Sequence, residues 1–69
     1  MDLKKLREAK GLTQAEVASR AGISIQFYRF LEGHERRASV ETAMNLAMVL
    51  GFDWKDYFES CLDVKNGVN

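Results

Sequence analysis

The run Leu12-Thr13-Gln14-Ala15-Glu16-Val17-Ala18, continued through Ala21-Gly22-Ile23-Ser24 to Leu31-Glu32-Gly33, decides how this chain folds. Thr13 and Glu16 stand three apart, the spacing of a capping box. The hydroxyl takes the Glu16 amide while the carboxylate reaches back to the cap. Val17, Ala18 and Ala21 then form one apolar stripe at i, i+1 and i+4. Gly22 follows at the point where a helix C-terminus needs left-handed backbone. Ser24 caps a second helix whose inner face is Phe27, Tyr28 and Leu31. Two short helices therefore meet at one glycine corner.

Working outward, a first helix is expected over about residues 2–10, capped by Asp2. Leu3, Leu6 and Ala9 form its apolar edge, and Lys4, Lys5 and Lys10 face water. Gly11 ends it, with Leu12 placed for the apolar contact that often follows a glycine stop. The corner's helices cover about 14–21 and 25–31. After the loop Gly33-His34-Glu35-Arg36-Arg37-Ala38, Ser39 caps a fourth helix over about 40–50. Val40, Ala43, Met44, Ala47 and Leu50 fall on one of its faces. Gly51 stops it, and Asp53 caps a fifth helix over about 54–62. There Trp54, Tyr57, Phe58, Cys61 and Leu62 make an amphipathic stripe. The chain has no proline and no strand-like alternation. An all-α domain of five helices over residues 1–62, with a flexible tail over 63–69, is the expected organisation.

A chain of 69 residues supports one small core, and at this size only about 60% of the unfolded surface is buried. No apolar run approaches the roughly 18 residues of a membrane span, and no signal-peptide pattern opens the chain. A cytoplasmic protein without membrane contact is expected. One cysteine, Cys61, forms no internal disulfide, and with His34 the single histidine it builds no zinc site. Cys61 is expected as a small buried hydrophobe. No metal and no cofactor is expected. Neither is an enzyme, because no paired carboxylates and no nucleophile–base arrangement stand out.

Net charge is zero, yet it is unevenly spread. Residues 1–37 carry eight Lys/Arg against five Asp/Glu, and residues 38–69 carry two against five. The halves are thus +3 and −3, a hint of a one-sided surface for a polyanion.

Helix, glycine corner and helix are the outline of a helix-turn-helix. The chain resembles the lambda-repressor/Cro-like, XRE-type helix-turn-helix domains over roughly residues 3–58. The likeness is carried by Leu6-Arg7, Gly11-Leu12-Thr13-Gln14, Ala18 and Ala21-Gly22-Ile23-Ser24. It continues in Leu31-Glu32, Ser39-Val40-Glu41-Thr42, Leu46-Ala47 and Leu50-Gly51. Two positions depart from that pattern. The family's glycine two residues after the Glu is His34 here, with Gly33 one residue early, and its proline before the fourth cap is Ala38.

The resemblance implies a compact lambda-repressor-like DNA-binding domain whose third helix enters the major groove. Ser24, Ile25, Gln26, Arg29 and Phe30 match the base-reading face. Helical geometry independently sets Ile25, Gln26, Arg29 and Phe30 opposite Tyr28 and Leu31. Gln26 suits a bidentate pairing with adenine, and Arg29 a guanine or a phosphate. Ile25 and Phe30 suit thymine methyl groups or, alternatively, a protein patch. Gln14 matches a phosphate contact reinforced by the helix N-terminus, and Arg36 and Arg37 suit phosphates beyond it. Arg7 and Glu32 match a structural pair. His34 is expected as a loop residue that tolerates left-handed backbone. Met48, Phe52, Trp54, Phe58 and Leu62 are candidates for a dimer contact.

The expected function is a sequence-specific regulator of transcription, bacterial or phage-derived, most often a repressor in such families. It would bind double-stranded DNA as a homodimer on a pseudo-palindrome. The alternative is a protein-interaction module of the same fold, such as an antitoxin or adaptor with a protein partner.

Overall fold

The computed structural model describes residues 1–62, with side chains through residue 59. They form α1 (Leu3–Ala9), α2 (Gln14–Ala21), α3 (Ile25–Glu32), α4 (Val40–Leu50) and α5 (Trp54–Leu62). The first four helices each start on a side-chain oxygen three residues before the amide it accepts. Asp2 takes Lys5 N–H at 3.1 Å, Thr13 takes Glu16 at 3.1 Å, Ser24 takes Phe27 at 3.0 Å and Ser39 takes Thr42 at 3.2 Å. The capping box is closed, since the Thr13 amide donates to Glu16 Oε1 at 2.8 Å. Each such cap is worth about 1 kcal/mol. Asp53 Oδ1 accepts the Lys55 amide at 3.0 Å ahead of α5. The tail and the side chains of Cys61 and Leu62 lie outside the described residues.

The helix ends repeat one device, in which the chain turns left-handed and an amide bonds back to a carbonyl five residues earlier. Ile23 N–H reaches Ala18 O at 3.0 Å around Gly22, whose φ is 75°. At the end of α3 the same bond runs from Glu35 N–H to Phe30 O at 2.9 Å. The left-handed residue there is His34, with φ 62°, while Gly33 sits at φ −85°. The glycine is one position too early to relieve the turn.

Val17, Tyr28, Leu31, Leu46 and Leu50 are the largest fully buried side chains. Full burial of such a side chain contributes about 1.5–3 kcal/mol. They sit where α2 packs on α3 and α4, with α1 lying against α3 and α5 against α4. Asn45 on α4 donates to the Ala21 carbonyl at 3.4 Å, tying α4 to the end of α2. Ala38 and Tyr57 close the far side: the Ala38 N–H donates to the Tyr57 hydroxyl at 2.9 Å, both residues being buried. A proline at 38 could not make that bond.

The expected buried faces need two corrections. On α4 the buried residues are Ala43, Leu46, Ala47 and Leu50, whereas Val40 and Met44 are exposed. The helix is rotated about its axis because Leu46 wins the central place against α2. On α1 only Leu3 is fully buried, Leu6 is half-buried and Ala9 is exposed. α1 also ends a residue short at each side, with Asp2 and Lys10 as its caps. None of the helices described is long and apolar enough to cross a membrane.

Candidate nucleic-acid interface

α3 buries Tyr28 and Leu31 and turns Ile25, Gln26 and Arg29 outward. Ser24 is exposed at its start, held by its own cap. Phe30 is half-buried, and the Arg36 guanidinium lies over its ring, 5.4 Å from the centroid. The ring is therefore covered by a cation rather than presented bare. Ile25 remains as the large apolar side chain exposed on this helix. Arg37 is exposed in the loop beyond.

Gln14, the first residue of α2, lies half-buried beside this face. Its carbonyl oxygen accepts Arg29 Nε–H at 3.2 Å, and its amide nitrogen donates to Glu32 Oε1 at 3.0 Å. Thr13 occupies the Glu16 and Val17 amides, through its hydroxyl and its carbonyl. That leaves those of Gln14 and Ala15 for an anion at the helix start.

Glu32 is the hub. Arg7 Nε donates to Oε2 at 2.6 Å and Arg7 Nη2 to Oε1 at 3.5 Å, an ion pair in which both side chains are about nine-tenths buried. The Tyr28 hydroxyl donates to Oε2 at 2.7 Å. Arg7 Nη1 donates onward to the Leu12 carbonyl at 3.0 Å, so α1, the α1–α2 loop, α2 and α3 meet at one carboxylate. Burial pushes the Glu32 carboxyl upward, but the hydrogen bonds from Arg7, Tyr28 and Gln14 outweigh it and hold it below the ordinary value of 4.5. Burial and the bond to Glu32 push the Tyr28 phenol well above its ordinary range. The bond to Glu32 likewise raises the Arg7 guanidinium, against the opposing effect of burial. The acid that ends α3 is thus charge-compensated within the fold.

Among the candidate dimer residues, Met48 projects from α4 with 84% of its surface exposed. Val40 and Met44 precede it at four-residue intervals on the same exposed stripe. Phe52, Trp54 and Phe58 are half-buried and packed against the core, with Phe58 meeting Tyr57 and Trp54 edge-on at 5.1 and 6.0 Å. Sequence reasoning missed the hub's breadth. Tyr28 was expected only as core, although its four-residue spacing to Glu32 on one helix was a usable signal. The links from Gln14 to Glu32 and Arg29 span 18 and 15 residues, and no local pattern marks them.

Two curated proteins are similar to this chain. The uncharacterized HTH-type transcriptional regulator YqaF of Bacillus subtilis (strain 168) is 42% identical over 65 residues, covering 93% of this chain and 86% of that protein. The uncharacterized HTH-type transcriptional regulator y4dJ of Sinorhizobium fredii (strain NBRC 101917 / NGR234) is 47% identical over 47 residues, covering 68% and 61%. A family model described as helix-turn-helix matches residues 3–56, the span that holds α1 to α4, the glycine corner and the Glu32 hub. On that match, the chain belongs to the XRE-type helix-turn-helix family.

Proposed function

We propose that the protein is a sequence-specific DNA-binding regulator of transcription, a repressor that occupies a pseudo-palindromic operator as a homodimer. The observation that carries this reading is the adjacency of two surfaces. The outward face of α3, with Gln26 and Arg29, lies directly beside the start of α2, where Gln14 bonds to Arg29. Laid in the major groove, α3 offers Gln26 to an adenine edge, Arg29 to a guanine edge and Ile25 to a thymine methyl. Ser24 and Phe30 flank that face. Gln14 with the first amides of α2, and Arg36 and Arg37 beyond α3, take phosphates on either side. Membership of the family and the names of both relatives support DNA binding.

The exposed stripe of Val40, Met44 and Met48 supports a protein contact, and we assign it to the homodimer. Two copies would set their α3 helices about 34 Å apart, one turn of DNA. The test compares two variants on an operator selected by the protein itself. Arg29→Ala should cost about 1–3 kcal/mol and relax preference at one base pair. Arg37→Ala should weaken every duplex alike and reduce the salt slope by about one. If both variants weakened all sequences equally, Arg29 would be a phosphate contact and not a base-reading residue.

A further inference from the structure

We infer that Gln14 and Arg29 read DNA as one unit aimed by Glu32, so that Gln14 is a specificity-determining residue as well as a phosphate contact. This rests on the DNA-binding reading above and goes beyond it. The hydrogen-bond chemistry forces the order of the chain. The Glu32 carboxylate, ionised by its surroundings, can only accept, and Arg29 Nε–H can only donate. The Gln14 amide between them must therefore turn its NH2 to Glu32 and its oxygen to Arg29, as it does at 3.0 and 3.2 Å. Its orientation is fixed by its neighbours rather than free.

Glu32 is itself immobilised. Arg7 and Tyr28 hold Oε2, and Oε1 is left to face Gln14, with a long contact to Arg7. The lock passes from the buried ion pair, through Gln14, to the exposed guanidinium of Arg29. With Nε engaged, Arg29 keeps Nη1 and Nη2 for a base edge or a phosphate, on a side chain already restrained before DNA arrives. Restraint of this kind lowers the ordering cost of binding and narrows the geometries available. Gln14 keeps its second N–H for phosphate, so docking on the backbone and reading of the base share one amide.

A phosphate contact that acts alone lowers affinity for all sequences by one factor. Gln14 should behave differently. The experiment is a double-mutant cycle with Gln14→Ala, Arg29→Ala and the double variant. Each is titrated against the operator that the unaltered protein selects and against its single-base-pair variants, with helicity verified by circular dichroism. The expected result is that Gln14→Ala relaxes preference at the same base pair as Arg29→Ala. The double variant should bind better than the product of the single losses predicts, by about fivefold. Equal losses on all sequences, with the two penalties simply multiplying, would overturn the inference and leave DNA binding intact. Absence of any sequence preference in the unaltered protein would overturn the DNA reading and this inference with it.

Discussion

Replacing Glu32 with glutamine tests the hub directly. The shape is kept and the charge is lost. One oxygen can still serve Arg7 Nε and the Tyr28 hydroxyl, but the new NH2 then faces Arg7 Nη2 and the Gln14 amide, which are donors in the native arrangement. Breaking one side of a buried ion pair costs about 3–5 kcal/mol. Because one acceptor survives, the lower end, about 3 kcal/mol, is expected here. Against a total of roughly 3–10 kcal/mol for a domain of this size, that is a large share. At about 4–8 °C per kcal/mol the midpoint of thermal unfolding should fall by roughly 12–24 °C.

The pH dependence gives the sign. The Glu32 carboxyl is held below 4.5 in the folded protein, so its contribution is full above that value. It is lost as pH falls through the folded pKa. Urea unfolding followed by circular dichroism should show native protein and Glu32→Gln far apart at pH 7 and drawing together as pH falls below 4.5 through the lowered pKa of the folded carboxyl. A gap under about 1 kcal/mol at pH 7 would refute the charge-assisted hub. So would a gap unchanged down to acid pH.

Four further outcomes follow from the packing. Tyr57→Phe should strand the buried Ala38 amide and cost about 1–3 kcal/mol in urea unfolding. His34→Gly should raise stability by about 0.5–1 kcal/mol by removing a side chain from left-handed backbone. Gly33→Ala should add about 0.4–1 kcal/mol, because its backbone is ordinary and the new Cβ would approach nothing nearer than the Arg29 carbonyl at 3.5 Å. Met48→Glu, at the most exposed large apolar side chain described, should leave helicity unchanged and convert the proposed dimer to a monomer by ultracentrifugation.

What was legible in the sequence was local. Thr13 with Glu16, and Ser24 and Ser39, announce three helix starts because each cap and its amide lie within one turn. Gly22 announces the corner for the same reason. α4 shows where such reading ends. Val40, Ala43, Met44, Leu46, Ala47, Met48, Val49 and Leu50 put apolar groups nearly all round the helix, so periodicity alone allows more than one rotation. Packing against α2 selects the one that buries Leu46. At the candidate site, the residue types on α3 and at the start of α2 could be read from the motif. Their hydrogen-bond chain could not, because Arg7, Gln14, Tyr28, Arg29 and Glu32 come together only when α1, α2 and α3 fold onto one another.

The most direct test of the function is selection of bound sequences from a random duplex library by the unaltered protein, at a stated salt concentration near physiological. An enriched inverted repeat, with half-sites about one helical turn apart, is the result expected of a dimeric regulator reading through α3. Recovery of DNA with no enriched sequence would contradict it and turn attention to the exposed α4 stripe as a site for a protein partner.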